Sequence, residues 1–257
     1  MQKLPIKPFL DSFQGNTPDD FQKLVNEQKR AFWSYSKLTD KIQSFNNFKK
    51  ELEIFVTTKE WRQVSSIEID EIIGTDHNRY IDMSYYEMLG SGIKMDINIP
   101  LLLSNPNYYY EVDPKEPTAY YATFNTKAGD SIAFVDGDGN HRTCLAKVIR
   151  AYDENYQELH GITKTSYNID YGLYDQFVMI KETLEPYGYT VSVDKFDDRV
   201  EEDKSGAWIK WYFTHNIEIS KKGKRTVLKN AYDFDERDFL PLRTIMLRSF
   251  KKILSKP

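Results

Sequence analysis

One short segment of this chain combines residue types that could do chemistry. Asp138–Thr143, with the sequence DGNHRT, follows closely on the apolar run Ser131–Asp136. The run is short, rich in β-branched and aromatic residues and bounded by glycine, which predicts a buried strand ending in a tight turn. His141 and Arg142 would place a proton donor and a positive charge just after that turn.

A helix is expected to begin within the DGNHRT segment. Leu145, Val148, Ile149 and Tyr152 recur at the spacing of a helix that packs on a core, and Asn140 is a suitable N-cap residue. The first amides of such a helix lack intrahelical partners and carry the positive end of the helix dipole. The predicted order of strand, glycine turn and helix N-terminus is therefore suited to binding an anion.

The residues of this segment resemble the signature of a known superfamily. Asp-Gly-x-His-Arg behind a strand, with Ala146 four residues on, is similar to the DGQHR-type box of the ParB/sulfiredoxin superfamily. Upstream, Ser66–Ile72 and then Asn78-Arg79 resemble that family's opening strand and its following arginine. The resemblance extends over about residues 61–155. It implies a nucleotide-binding fold found in DNA-partitioning CTPases, nucleases, a sulfinic-acid reductase and amino-acid kinases.

The resemblance implies that the DGNHRT segment surrounds a phosphate of ATP or another nucleotide. His141 would donate to a phosphoryl oxygen or shuttle a proton, and Arg142 would neutralise charge that develops during transfer or hydrolysis. We expect Arg142 to be exposed and to contribute little to folding. The predicted nucleotide contacts are Gly137, Gly139, Asn140, His141, Arg142, Thr143 and Arg79.

Carboxylates near the segment could assist a phosphate reaction. Asp136 or Asp138 could hold Mg²⁺, which needs only one or two protein carboxylates because it keeps waters and phosphate oxygens. A general base could come from Glu68 or Glu71 on the opening strand, where the kinase branch of the superfamily places an acid. Strand register decides which of these two faces the pocket. The predicted catalytic residues are His141, Arg142, Asp138, Glu68 and Glu71.

Three other interpretations of the segment stay open. Asp136-x-Asp138-x-Asn140 imitates the start of an EF-hand calcium loop, although His141 stands where that loop needs glycine. Asp-Gly-Asn could instead be a hairpin turn, with residues 141–148 as the returning strand. The segment could also be a capped helix start that binds no ligand.

The chain departs from two branches of the superfamily. Asn140 occupies the position where sulfiredoxins need a cysteine, which argues against reductase activity. The Gly-Glu-Arg-Arg box of the partitioning CTPases and an evident downstream helix-turn-helix are also absent from the sequence. A sequence-specific centromere binder is therefore disfavoured.

Length and composition indicate a globular protein without cysteine chemistry. The 257 residues are 40% hydrophobic and 14% aromatic, enough for one large core or two modest ones. The single cysteine, Cys144, excludes an internal disulfide framework and a cysteine-based zinc site. No apolar stretch approaches the length of a membrane span, and the N-terminus lacks the apolar region of a signal peptide. We therefore expect a cytoplasmic protein.

The sequence divides into three predicted regions of an α+β protein. Residues 1–60 form a helical N-terminal segment, residues 61–160 a ParB/sulfiredoxin-like mixed sheet with helices, and residues 161–257 an α+β region. Apolar residues at spacings of three and four over residues 21–55 predict an amphipathic helix or a broken helical hairpin. That apolar seam would pack on its own domain or pair two copies of the chain as a homodimer.

The C-terminal region is basic. From Lys204 onward the chain has a net charge of +8, whereas the residues before it carry −12. A hairpin is predicted over residues 207–230, followed by a basic helix from about Glu236. These elements could follow a phosphate backbone, with strand aromatics stacking on bases, or form an ordinary solvated surface. The candidate nucleic-acid contacts are Lys221, Lys222, Lys224, Arg225, Arg248, Lys251 and Lys252.

The preferred functional hypothesis is a Mg²⁺-dependent nucleotide-binding protein that acts on DNA, as an ATPase or a nuclease. The alternative enzyme is a small-molecule kinase of the free-serine type, for which the basic end of the chain would be incidental. A non-catalytic nucleotide-sensing module is the third hypothesis. Salt-dependent retention on DNA separates the first from the second, and nucleotide binding without hydrolysis identifies the third.

Overall fold

A computed structural model describes residues 35–91, 94–104, 119–152 and 154–229, together with four N-terminal residues that are helical, namely Asp19, Asp20, Lys23 and Glu27. The chain forms two compact units. Unit 1 takes its described residues from Met1–Leu52, Thr58–Asn168 and Val200–Trp211. Unit 2 takes its described residues from Glu53–Thr57, Ile169–Arg199 and Tyr212–Pro257.

Helices and strands alternate along the described chain. The helices are α1 (Phe45–Leu52), α2 (Tyr85–Ser91), α3 (Met95–Ser104), α4 (Asn140–Tyr152) and α5 (Tyr171–Leu184). The strands are β1 (Gln43–Ser44), β2 (Val56–Glu68), β3 (Ile72–Thr75), β4 (Tyr120–Asn125), β5 (Ser131–Val135), β6 (Glu158–Ile169), β7 (Thr190–Glu202), β8 (Trp208–Lys221) and β9 (Lys224–Lys229). Short 3₁₀ turns occupy Ser36–Leu38, Glu53–Phe55, Ile69–Glu71 and Glu185–Tyr187.

The strands of unit 1 form a mixed sheet in the order β1-β3-β5-β4-β6-β2. β1, β3 and β5 are parallel, β4 is antiparallel to β5, and β4 and β6 are parallel. A mixed sheet with several helices confirms the predicted α+β class at that level. Thr75 of β3 pairs with Val135 of β5, so the residues that follow these two strands lie at one edge of the sheet.

Helix α4 packs against the core of unit 1. Leu145, Val148 and Ile149 are fully buried, in agreement with their helical spacing in the sequence. α4 contacts α2 and α3. The ring of Phe134 in β5 lies 5.6 Å from that of Phe45 in α1, because helix α1 packs on Phe134 and its neighbours.

The amphipathic helix or broken helical hairpin predicted over residues 21–55 is wrong in its described part, in which no continuous helix runs from residue 35 to residue 55. Residues 35–55 form a 3₁₀ turn, a bend, β1, α1 and a second 3₁₀ turn. Leu38, Ile42 and Phe45 are buried, so their spacing of three and four reflects burial from separate short elements. Most of residues 21–34 lie outside the described residues, and the homodimer through this segment stays a prediction.

The predicted basic hairpin is present. β8 pairs antiparallel with β9, and Lys221 pairs with Lys224 across the turn. Lys222 and Gly223 have φ angles of +50° and +77°, as a two-residue turn between twisted strands requires. The final helix predicted from Glu236, with Arg248, Lys251 and Lys252, lies outside the described residues.

The boundaries predicted at 60/61 and 160/161 fall inside β2 and β6, which continue without interruption through those positions. A strand predicted at Tyr108–Val112 lies outside the described residues. Over the described ranges, no helix is both long and apolar enough to cross a bilayer.

Candidate functional site

The turn between β5 and α4 depends on two glycines. Gly137 and Gly139 have φ angles of +103° and +124°, which residues with a Cβ rarely adopt. A Cβ on Gly139 would also lie only 3.1 Å from the Cβ of Ala119. The amide of Thr143 donates to the carbonyl of Gly139 (2.8 Å), so α4 begins at Asn140. The interpretation of residues 141–148 as a returning strand is therefore wrong, and Asn140 is the first helical residue rather than the cap.

The loop that follows β3 contacts the first turn of α4. The hydroxyl of Tyr80 lies 3.2 Å from Nε2 of His141, and the two rings meet nearly at right angles. The ring of His77 packs 4.9 Å from that of Tyr80, and the amide of Arg79 donates to Nδ1 of His77 (3.4 Å). The two motifs of the family resemblance, Asn78-Arg79 and the DGNHRT segment, thus come together around Tyr80.

Tyr80 was not found by the sequence reasoning. No motif includes it, and its only signal in the sequence is its place directly after Arg79. Tyr80 is buried, with 5% of its surface exposed, and its hydroxyl lies within hydrogen-bonding distance of His141. Arg79 itself is exposed and available to an anion at this edge.

Arg142 is buried, and the prediction of an exposed arginine is wrong. Only 6% of its surface is exposed, and its guanidinium donates to the carbonyl oxygen of His160 (2.7 Å). Arg142, Leu145 and Ile149 stand at i, i+3 and i+7, so Arg142 belongs to the stripe of α4 that packs on the core. Its charge therefore holds α4 to the β6 backbone.

Asp136, one of the two predicted metal ligands, lies near Asp76 at this edge of the sheet. The amide of Asp76 donates to the carbonyl of Val135 (3.0 Å), and that of Asp136 donates to Tyr120 (2.9 Å). Burial, together with the negative charge of Asp76, raises the pKa of Asp136. Asp138 is exposed and accepts a bond from the amide of Gly139 (2.7 Å), so it supports the turn. The pair at this edge is Asp76 and Asp136.

The pair fits Mg²⁺ by the chemistry of its donors. Oδ1 of Asp76 is buried and has no hydrogen-bond partner among the described residues. A buried carboxylate oxygen without a partner is costly, and an oxygen-preferring cation would satisfy it. In the part of the chain that the structure describes, no three His, Cys, Asp or Glu side chains gather as a metal cluster. The EF-hand interpretation stays untested.

Glu68 and Glu71 lie in another cluster. Burial and the nearby charge of Glu68 raise the pKa of Glu71, while Lys164 and a hydrogen bond with Ser131 oppose that rise. Ser131 begins β5, whereas the DGNHRT segment follows its end. Glu71 therefore lies beside the start of β5, whereas His141 follows the end of that strand in the chain.

The basic hairpin of unit 2 is partly neutralised by its own unit. Arg225 forms ion pairs with Glu218 (2.6 Å) and Asp194 (3.6 Å). Lys221 donates to the carbonyl of Tyr187 (2.5 Å). Lys222 and Lys224 are exposed, so these two are the hairpin residues that best fit the predicted nucleic-acid contact.

Two of the β8 aromatic residues that were predicted to stack on bases, Tyr212 and Phe213, already contact cations. The ammonium of Lys195 lies 3.9 Å from the ring centre of Phe213, and the guanidinium of Arg199 lies 4.0 Å from that of Tyr212. One face of each ring is thereby covered within unit 2.

Comparison with known proteins finds no relative of this chain. No family model, curated protein or solved structure matches the chain. The resemblance to the ParB/sulfiredoxin superfamily stays a prediction from the sequence of the DGNHRT segment and of Asn78-Arg79.

Proposed function

We propose that the chain is a ParB/sulfiredoxin-like nucleotide-binding protein that hydrolyses a nucleoside triphosphate with Mg²⁺. The observation that carries the proposal is the contact of Tyr80 with His141, which joins the loop of Arg79 to the first turn of α4. A phosphate at the start of α4 would meet the positive end of the helix dipole. The exposed guanidinium of Arg79 would supply a full positive charge beside it.

The residues at the edge of the sheet after β3 and β5 would have separate roles in phosphate binding and proton transfer. His141 would donate to a phosphoryl oxygen or move a proton, with Tyr80 fixing its ring. Arg79 would take the charge-neutralising part first assigned to Arg142, because Arg142 is buried and bound to His160. Gly137 and Gly139 would allow the backbone to approach the phosphate closely.

Asp136 and Asp76 would hold the metal. Mg²⁺ when bound would neutralise negative charge on the phosphate oxygens. The carboxyl of Asp136 must be ionised to bind a cation, and its pKa is raised. We therefore expect Mg²⁺ affinity to begin falling at a higher pH during acidification than it would for an ordinary aspartate.

DNA is proposed as a second partner, and this proposal is based on charge alone. The support is the net charge of +8 from Lys204 onward and the exposure of Lys222 and Lys224 at the hairpin. The ion pairs of Arg225 reduce the charge that this hairpin offers to a phosphate backbone.

Isothermal titration with ATP, ADP, CTP and GTP, with and without Mg²⁺, tests the nucleotide proposal. We expect one triphosphate to bind more tightly with Mg²⁺, and Arg79→Ala to weaken it by roughly 10-fold or more, the loss of one charge-assisted contact. Arg62→Ala is the matched control, because Arg62 is exposed and pairs with Glu60.

Hydrolysis assays complete the test. His141→Asn should lower the rate by about 10²-fold while affinity changes little, because the amide keeps a donor but cannot transfer a proton near neutral pH. Binding without turnover would identify the sensing module, and transfer of phosphate to serine would identify the kinase. Failure of all four nucleotides to bind would refute the proposal.

A further inference from the structure

Lys59 of β2 holds a positive charge over two aromatic rings. Its ammonium lies 5.0 Å from the ring centre of Trp211 and 5.8 Å from that of Tyr167. The residue is half-buried, and among the described residues no carboxylate lies within ion-pairing distance of it. Aromatic faces attract a cation but do not cancel its charge. Lys59 is thus placed to receive an anion.

A second lysine approaches the same ring from another element. The ammonium of Lys49 in α1 lies 5.9 Å from the ring centre of Tyr167. Tyr167 therefore has lysine ammonium groups from two elements, α1 and β2, at 5.9 and 5.8 Å from its ring centre.

Both lysines share a face of the sheet with Asp136. Tyr167 stacks on Phe124 (4.8 Å), and Phe124 and Phe134 both contact Phe48 of α1 (5.0 and 5.1 Å). Alternate residues of a strand share a face, so Asp136 follows Phe134 on the side of α1. The positive charges of Lys49 and Lys59 act on Asp136 against the effect of its burial.

We propose that Lys59 and Lys49 contact the phosphate oxygens of a Mg²⁺-bound nucleoside triphosphate, while Asp136 and Asp76 hold the cation. This inference rests on the proposed function and adds two phosphate-binding residues to it. Two separate ammonium groups beside a metal suit a chain of phosphates better than a single phosphate. Asp136 connects the two parts of the site, because it also precedes the DGNHRT segment by two residues.

Lys59→Met tests the inference, because methionine keeps the apolar stem over Trp211 and Tyr167 but removes the charge. Titration with ATP and Mg²⁺ should show an affinity weaker by about 10-fold, and Lys59→Arg should recover most of the loss. Lys210→Met is the matched control. Lys210 pairs with Glu60 (3.9 Å), and alternation along β2 and β8 puts this pair on the opposite face from Lys59 and Trp211. The affinity of Lys210→Met for ATP with Mg²⁺ should stay within about twofold of that of the wild type.

The outcomes separate this inference from the proposed function. Equal affinity in wild type and Lys59→Met would overturn the inference and leave the nucleotide function standing. If no triphosphate binds, titration with inorganic pyrophosphate and Mg²⁺ tests the site directly, and absence of binding there overturns the inference as well. If a single-stranded oligonucleotide binds, if its binding depends on Lys59 and if ATP does not bind, then the proposal of a nucleoside triphosphate as the ligand is wrong. If the circular dichroism spectrum shows that Lys59→Met does not fold, Lys49→Met provides the same comparison.

Discussion

The hydroxyl of Tyr80 lies 3.2 Å from Nε2 of His141, although 61 positions separate the two residues in the chain. The contact joins the loop after β3 to the first turn of α4. Burial raises the pKa of Tyr80, and the tautomer of His141 decides which of the two groups donates in this hydrogen bond. His141 is therefore oriented by a residue outside its own helix.

Tyr80→Phe should remove this hydrogen bond while keeping the buried ring. We expect the free energy of unfolding to fall by about 0.5–1.5 kcal/mol, the usual net value of one hydrogen bond. Hydrolysis of the triphosphate should slow, with affinity within about twofold of the wild type, because the histidine loses its orientation. Urea unfolding and steady-state kinetics measure the two effects. A less stable variant with wild-type turnover would assign the contact to folding alone.

Arg142→Ala should destabilise the fold, contrary to the sequence-based expectation of a small effect. Removing a buried guanidinium that donates to His160 should lower the free energy of unfolding by about 1.5–3 kcal/mol. Arg79→Ala, at an exposed position, should change it by less than about 0.5 kcal/mol. Urea denaturation of both variants makes the comparison. An unchanged midpoint for Arg142→Ala would return Arg142 to the candidates for phosphate contact.

Lys147 should make stability depend on pH. Its ammonium is fully buried, donates to the carbonyl of Ile69 (2.9 Å) and lies 5.0 Å from the ring centre of Tyr85. Burial lowers its pKa from 10.5 to about 7. Between these two values the unfolded chain binds a proton that the folded protein does not, so this lysine makes stability rise with pH over that interval.

Lys147→Met should remove that dependence. The free energy of unfolding of the variant minus that of the wild type should be most positive near and below pH 7 and should decrease toward pH 10. Burial raises the pKa of Cys144 and the charge of Lys147 opposes that rise, so the two proteins are compared below the pH range in which this thiol titrates in the folded protein. Urea unfolding at several pH values provides the measurement, and a pH-independent difference would contradict a depressed lysine pKa.

The hairpin substitutions should separate the exposed lysines from the engaged residues. From the sequence alone, replacing Lys221, Lys222, Lys224 and Arg225 by serine should make the log–log salt slope of DNA binding shallower by about three or four units. The structure predicts that Lys222→Ser with Lys224→Ser accounts for about 1.4–1.8 units, at 0.7–0.9 per phosphate. Lys221→Ser with Arg225→Ser should change the slope little. Fluorescence anisotropy at several salt concentrations tests this, and no binding at low salt would exclude DNA as a partner.

Local sequence determined the strand, turn and helix at residues 131–152. Gly137 and Gly139 allow the positive φ angles of the turn, and the apolar spacing after Asn140 defines the helix and its buried face. The turn at Lys222-Gly223 was predictable for the same reason. Each of these features depends on residues only a few positions apart.

The long N-terminal helix failed because apolar spacing is ambiguous. Leu38, Ile42 and Phe45 are buried from a 3₁₀ turn, a loop and α1, yet their spacing equals that of one helix face. Periodicity records which residues are buried but does not say whether one element or several bury them.

Only the tertiary structure decided which charged groups meet. Asp76 faces Asp136 because β3 and β5 pair in parallel, and Lys59 covers Trp211 although β2 and β8 are far apart in the chain. Arg142 lies inside rather than outside because the surface that covers α4 includes the carbonyl of His160 in β6. Strand pairing depends on distant partners, and no local pattern in the sequence encodes it.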